Sequence, residues 1–199
     1  MLYVLACILF KPLLLLVYRP KVYNRAALKR KGKVIYIANH LTMGDPIVLA
    51  ILISRCIHFM AKSTLFESKF MNLIFRGLLT FPVQQYTADT KAIKKAVDLL
   101  NKGKAFGIFP EGHRCIDAHT MDTFDKGCAF IAMRANAPVV PIYIQPDAWK
   151  LGRRMHVAVG DPLYPDEIKA RCPGRKAIDA LNCAITDSML MLREKAENL

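Results

Sequence analysis

The N-terminal part of the sequence lacks acidic residues, since the first carboxylate side chain is that of Asp45. Acids are scarce elsewhere as well: 16 aspartates and glutamates stand against 29 lysines and arginines, which gives a formal net charge of +13. This excess argues against a cationic partner and indicates an anionic one, because the summed field of the protein attracts phosphates and acidic membrane surfaces.

Several motifs that accompany metal or nucleic-acid binding are also missing. The six cysteines, at positions 7, 56, 115, 128, 172 and 183, form no Cys-x-x-Cys pair and no metal-ligand spacing, so we expect reduced thiols and no metal site. The sequence contains no zinc-finger spacing, no helix-turn-helix punctuation and no aromatic stacking motif. These absences argue against nucleic acid as the anionic partner.

The sequence has no internal repeat, no low-complexity tract and no convincing domain boundary after residue 33. Its 199 residues are enough for one domain with a sizeable core. Strand-like runs alternate with segments of helical periodicity, such as the C-terminal stripe of Ile178, Leu181, Ile185, Met189 and Leu192. We therefore predict an α/β fold for residues 33–199, a single domain with a central mixed, largely parallel sheet flanked by helices.

Residues 1–18 form the longest apolar stretch, interrupted only by Lys11 and Pro12. As a straight helix they would reach about 27 Å, slightly short of a hydrocarbon core of about 30 Å. We therefore expect a membrane-embedded helical segment in one leaflet or two short helices, with a tilted or kinked span as the alternative. A cleaved signal peptide is disfavoured, because no basic region precedes the stretch and no small-residue cleavage pattern follows it.

A basic collar follows the apolar stretch without any compensating acid: Arg19, Lys21, Arg25, Lys29, Arg30, Lys31 and Lys33. Clusters of this kind mark the cytoplasmic side and are attracted to anionic headgroups by about 1 kcal/mol per charge near the surface. We assign residues 1–32 to an N-terminal membrane-associated segment. The expected location is the cytoplasmic face of a membrane, the inner membrane if the protein is bacterial.

The first candidate site residues follow a predicted strand at residues 33–38. His40 would lie at the exit of this strand, and Gly44 allows the turn that brings Asp45 back toward the imidazole. A carboxylate in that place would fix the tautomer of a general base and stabilise its protonated form. Two other readings stay open: a structural histidine, and Asp45 as an N-cap before Pro46 in the first helical turn.

A second strand-like run, residues 104–109, leads into the sequence Pro-Glu-Gly-His-Arg at residues 110–114. Arg114 offers a planar fork for a phosphate, and Gly112 lets backbone N–H groups approach it. Glu111 could accept a hydrogen bond from a hydroxyl or hold the arginine. By itself, the same segment is more typical of a surface turn with a local Glu–Arg pair.

Together the two motifs resemble those of the glycerolipid acyltransferase family, which includes 1-acyl-sn-glycerol-3-phosphate acyltransferases. Its members carry an Asn-His-x4-Asp block followed by a Phe-Pro-Glu-Gly-x-Arg block, and residues 39–45 and 109–114 match them in that order. A strand with two prolines at residues 137–143 matches a further block. In place of a family arginine near the end of the intervening segment, this chain has Gln84 and Gln85.

The resemblance implies roles for individual residues. His40 is expected to be the general base and Asp45 its partner. Glu111, Gly112 and Arg114 are expected to bind the phosphate of the acceptor, with help from Lys62, which matches a lysine common in the family. The family transfers the acyl group directly, so Cys115 beside the second motif is not expected to act as a nucleophile.

The implied reaction moves a fatty acyl group from acyl-CoA or acyl carrier protein to the free hydroxyl of lysophosphatidic acid or a related glycerophospholipid, giving phosphatidic acid. The resemblance implies no cofactor besides the acyl donor as co-substrate. The expected partners are the membrane lipid bilayer, a lysophospholipid acceptor and the donor. Two alternatives remain: a non-catalytic peripheral membrane protein that binds anionic lipid through the basic collar, and a hydrolase of acyl thioesters on the same scaffold.

Overall fold

The computed structural model describes residues 2–85, 87, 89–112, 124–150, 152–174 and 176–197. Seven strands form one sheet in the order β1-β7-β6-β2-β5-β3-β4. Their bounds are β1 Lys21–Tyr23, β2 Val34–Ala38, β3 Ile57–Lys62, β4 Thr80–Val83, β5 Ala105–Ile108, β6 Val139–Ile144 and β7 His156–Val159.

The sheet is mixed and largely parallel, as predicted. Strands β6, β2, β5, β3 and β4 run parallel to one another, whereas β7 is antiparallel to β6 and parallel to β1. The carboxyl ends of β2, β3 and β5 therefore meet at one edge of the sheet. Strand β1 belongs to the basic collar, so part of the predicted N-terminal segment lies within the sheet.

Helices cover both faces of the sheet in a single α/β domain. They are α1 Leu2–Tyr18, α2 Asp45–Leu52, α3 Lys69–Gly77, α4 Thr90–Asn101, α5 Gly127–Ala135, α6 Pro165–Arg171 and α7 Lys176–Glu197. One buried cluster joins α4, α5 and α7 to one face, and a second joins α2 to the other. The predicted C-terminal stripe is confirmed as core, since Leu181, Ile185, Met189 and Leu192 are buried.

Strand β2 occupies the middle of the sheet and is buried along its whole length. Its alternate side chains enter different clusters: Ile35 and Ile37 face α4, α5 and α7, whereas Val34, Tyr36 and Ala38 face α2. An uninterrupted apolar run is typical of a parallel strand that is covered on both faces. This packing fixes the point where the chain leaves β2 toward His40.

Helix α1 is continuous through Pro12, so the predicted pair of short helices is not formed. The proline removes one backbone donor without ending the helix. Among the described residues, no helix combines the length and hydropathy needed to cross a membrane. The helix packs against α2 and α3, and it ends at Tyr18 because Arg19 adopts a left-handed conformation with φ 40° and Pro20 follows.

Candidate active site

The loop after β2 is anchored by Asn39, the first residue beyond the strand. Its Nδ2 donates to Ile144 O at 2.9 Å, and its Oδ1 accepts from Ile144 N at 2.8 Å. The side-chain amide thus pairs with the end of β6 in the manner of another strand residue. Because Asn39 is buried, these two bonds satisfy polar groups that water does not reach, and they hold the following residue, His40, in a defined position.

His40 and Asp45 lie together, as the sequence predicts. His40 Nδ1 is 3.1 Å from Asp45 Oδ2, and the carboxylate is almost fully buried at 1% exposure. The same carboxylate accepts from Leu41 N and Thr42 N, both at 2.7 Å, and from Thr42 Oγ1 at 2.9 Å. Asp45 is the first residue of α2, but its side chain faces back to the preceding loop, so the N-cap reading is wrong.

The donors around Asp45 decide its ionisation. Burial raises the pKa of this carboxyl, but the hydrogen bonds from His40, Thr42 and Leu41 outweigh burial and hold the pKa below its usual value. The group is therefore an anion at neutral pH. An anionic acceptor at Nδ1 requires the imidazole proton to be on that nitrogen, which leaves Nε2 with its lone pair.

The face of the His40 ring is also held. The ring stacks on Phe109 with a centroid distance of 4.2 Å and an interplanar angle of 24°. Among the described residues, none makes a hydrogen bond to Nε2. With one nitrogen bonded to Asp45 and one face on Phe109, the imidazole presents Nε2 as a positioned proton acceptor.

Trp149 is a further contact of Asp45 that the sequence did not reveal. Its Nε1 donates to Asp45 Oδ1 at 3.3 Å, across 104 residues of chain. Gly44 makes this approach possible, because a Cβ built at Gly44 would lie 2.3 Å from Trp149 Cζ2. Gly44 has φ −83° and ψ −16°, a conformation open to any residue, so the predicted turn does not require glycine. Its small size instead makes room for an indole that bonds the carboxylate.

We expect Gly44→Ala to destabilise the fold by about 1–3 kcal/mol, because the new methyl group overlaps the Trp149 ring. Urea unfolding followed by circular dichroism measures the loss. Trp149→Ala provides the matched background, since it removes the ring that causes the overlap. Most of the Gly44→Ala penalty should disappear there, and an equal penalty in both backgrounds would contradict the contact.

Glu111 contacts the backbone of the same loop. Its Oε2 accepts a hydrogen bond from His40 N at 3.0 Å, and the side chain is 5% exposed. The contact arises because β5, which leads into Glu111, pairs with β2, which leads into His40. The two predicted strand-end motifs are therefore brought together, and the second one holds the backbone of the first.

Gly112 and Lys62 lie at the same edge of the sheet. Gly112 has φ +71°, a conformation that favours glycine, and its carbonyl accepts a hydrogen bond from Gln85 Nε2. Gln85 thus contacts the second motif directly. Lys62 is the last residue of β3 and is exposed. Arg114, His113 and Cys115 lie outside the described residues.

The sequence of this chain is similar to those of known acyltransferases. The acyltransferase family model matches residues 19–145, a range that contains both motifs. A 1-acyl-sn-glycerol-3-phosphate acyltransferase of Bacillus subtilis is 28% identical over 185 residues, which cover 90% of each chain. A protein of the same name from Borreliella burgdorferi is 28% identical over 115 residues, which cover 57% of this chain and 46% of that protein.

A solved structure has the same fold. The crystal structure of the 1-acyl-sn-glycerophosphate acyltransferase PlsC from Thermotoga maritima superimposes with a TM-score of 0.69 and 21% identity, covering 88% of this chain and 71% of that one. The match of the family model to most of the chain confirms the resemblance that the two motifs predicted. The chain therefore belongs to the acyltransferase family and is an acyltransferase.

Proposed function

We propose that this enzyme transfers a fatty acyl group from an acyl thioester, carried by coenzyme A or acyl carrier protein, to the free hydroxyl of lysophosphatidic acid or a related lysophospholipid. The observation that carries the proposal is the bond between His40 and the buried anion of Asp45, with Nε2 left open. The names of the Bacillus and Borreliella relatives supply the acceptor class.

The reaction follows from this geometry. His40 Nε2 takes the proton of the acceptor hydroxyl, and the hydroxyl oxygen forms a bond to the thioester carbonyl carbon. The tetrahedral intermediate collapses with cleavage of the carbon–sulfur bond, and the imidazolium returns its proton to the departing thiolate. Asp45 stays ionised throughout and stabilises the imidazolium. Acceptor, donor and imidazole account for every proton and electron pair.

For the acceptor phosphate, we propose Arg114 and Lys62 as the cations and Gly112 as the residue that admits backbone contact. A carboxylate repels a phosphate, so Glu111 supports binding indirectly by holding His40 N, 3.0 Å from its Oε2. The phosphate then serves to keep the acceptor hydroxyl within hydrogen-bond reach of Nε2.

The activity is tested with radiolabelled acyl thioester, lysophosphatidic acid and thin-layer separation of the products, with acyl-CoA and acyl carrier protein as separate donor arms. New phosphatidic acid supports the proposal. Free fatty acid in its place would identify a thioester hydrolase. Lipid binding without either product would identify a non-catalytic membrane protein.

The phosphate role of Arg114 has its own test. We expect Arg114→Gln to raise the acceptor KM by about tenfold or more, because a charge-assisted pair to phosphate is lost, while the donor KM changes little. Initial rates at varied acceptor concentration measure this effect. An acceptor KM at the parent value would remove Arg114 from the phosphate site.

We further propose that α1 and α3 lie in the cytoplasmic leaflet of a membrane. Both helices expose large apolar side chains, including Ile8 at 69%, Leu16 at 74%, Phe70 at 69% and Leu73 at 72%. The two helices pack together, with Leu2 lying against Gly77. Their exposed apolar side chains therefore belong to neighbouring helices. An apolar patch with adjacent basic residues is typical of proteins that bind the membrane interface.

Vesicle sedimentation tests the proposed membrane surface. We expect the double variant Ile8→Ser, Leu16→Ser to bind lipid vesicles about tenfold more weakly, because two aliphatic side chains no longer enter the lipid. The matched control is Leu190→Ser, Met191→Ser, which changes exposed apolar residues on α7, across the sheet from α2. Equal losses in the two variants would contradict the assignment.

A further inference from the structure

An open cleft with a volume of about 240 Å³ lies where α1 meets the sheet. Three arginines line it from separate parts of the chain: Arg19 after α1, Arg25 after β1, and Arg154 before β7. Its other walls are apolar and include Leu15 and Leu52. The predicted site does not use these arginines.

Arg19 and Arg154 are held in place by their backbone contacts. Arg19 has φ 40°, a left-handed conformation that costs free energy for any residue other than glycine. Its N–H donates to Leu15 O, and its carbonyl accepts from Arg154 Nε, both at 3.0 Å. A glycine would end the helix without strain, so an arginine at this point indicates a use for its side chain.

Among the described residues, no carboxylate forms a salt bridge with any of these three arginines. Asp161 accepts a hydrogen bond from Asn24, the residue before Arg25. Three guanidinium groups around one cleft repel each other. An anion in the cleft would relieve this repulsion and would meet donors suited to phosphate oxygens.

The apolar walls define what the anion is attached to. Leu15 belongs to α1 and is itself exposed, so the cleft opens directly onto the apolar surface of that helix. Inorganic phosphate would make no contact with this apolar wall. A lipid with an anionic headgroup would contact both parts of the cleft, with its phosphate among the arginines and its acyl chain along α1.

We propose that this cleft binds the phosphate of an anionic glycerophospholipid of the membrane, at a site distinct from that of the reacting acceptor. The inference rests on the proposed membrane association of α1. The distinction follows from α2, whose first residue is Asp45 and whose last, Leu52, lines the cleft. The length of that helix separates cleft and carboxylate by about 10 Å.

The fluorescence of Trp149 can report binding near the cleft. Tyr18, which precedes Arg19, packs edge-on against Trp149 with a centroid distance of 5.1 Å. Trp149 is the only tryptophan of the chain, so its fluorescence reports on the end of α1. Binding is therefore measured on the full chain from the fluorescence change and from vesicle sedimentation, without turnover. Loss of enzymatic activity would leave this result intact.

The test uses phosphatidylcholine vesicles with and without phosphatidic acid, at raised salt to screen diffuse attraction. Arg25→Gln and Arg154→Gln remove cleft arginines, whereas Lys29→Gln and Lys31→Gln remove exposed charges of the same collar outside the cleft. We expect each arginine variant to weaken binding to the anionic vesicles about tenfold, and each lysine variant less than about threefold.

Arg154→Lys keeps the positive charge but removes the planar guanidinium group, so it distinguishes the two contributions to binding. It should lose most of the affinity lost by Arg154→Gln, because lysine cannot replace a planar fork that also holds Arg19 O. Thermal unfolding by circular dichroism checks that each variant is folded. Equal losses of vesicle affinity for the Gln variants of the cleft arginines and of the collar lysines would indicate diffuse electrostatic attraction without a specific site, and would overturn the proposal. Saturation by inorganic phosphate or glycerol 3-phosphate at the same concentrations as lipid would overturn the lipid assignment.

Discussion

Replacement of His40 by alanine is expected to lower kcat for acyl transfer by about 10³- to 10⁴-fold, because the acceptor hydroxyl then loses the imidazole that takes its proton. The fold should tolerate this change, since the ring is partly exposed and its main packing partner is Phe109. Steady-state transfer to lysophosphatidic acid measures the effect, with circular dichroism and vesicle binding unchanged.

His156→Ala is the matched control for that experiment. His156 begins β7, the second strand from one edge of the sheet, and its Nδ1 lies 3.2 Å from Tyr23 Oη. It is therefore a partly buried histidine with an aromatic neighbour outside the proposed site. Its replacement should leave kcat near the parent value. A His40→Ala enzyme that turns over at the rate of the control would remove the imidazole from the mechanism.

The second large effect concerns Asp45. We expect Asp45→Asn to lower kcat by roughly 10²-fold or more, because a neutral amide neither fixes the His40 tautomer nor stabilises the imidazolium. Stability falls as well. Oδ2 accepts from His40, Leu41 and Thr42, and Oδ1 from Thr42 and Trp149, so an NH₂ group in either place faces donors. Each donor left unpaired costs about 1–3 kcal/mol.

The pH dependence of this stability difference has a defined sign. The pKa of Asp45 is lower in the folded state than its ordinary value, so the folded protein favours the anion. This contribution is fully present above the ordinary aspartate pKa of about 3.9, and it is lost as the pH falls through the folded pKa. Urea unfolding of parent and Asp45→Asn should therefore converge on acidification. A difference that grows toward low pH would contradict the assigned anion.

The parts of the site that are close in sequence could be predicted. The apolar run before His40 indicates a buried strand, and five residues are too few to place Asp45 far from the ring once the chain turns. The strand-end rule also predicted that Glu111 would reach the same edge. These inferences need only local patterns and the parallel direction of two strands.

The remaining contacts depend on the order of strands, which local patterns do not contain. Asn39 pairs with Ile144 because β6 adjoins β2, and Glu111 reaches His40 N because β5 adjoins it on the other side. Trp149 reaches Asp45 from a turn after β6. A lone tryptophan in a loop carries no signal of that partner, and only the small size of Gly44 hints at a close approach.

For helix α1, the local sequence pattern gave a wrong prediction. Its apolar content was evident, but Lys11 and Pro12 suggested an interruption that does not occur. The helix continues because it packs along α2 and α3, and tertiary contacts outweigh the local cost of one missing donor. The exposed apolar side chains of α3 were not predicted, since nine residues give too short a pattern.

The central claim is that Asp45 acts on the reaction through His40, and a double-mutant cycle on kcat tests it most directly. The measurement is acyl transfer to saturating lysophosphatidic acid by the parent, His40→Ala, Asp45→Asn and the double variant. If the two residues act as one unit, the double variant is no slower than His40→Ala within about twofold. Independent, multiplicative losses, or a His40→Ala enzyme with parental kcat, would contradict the account.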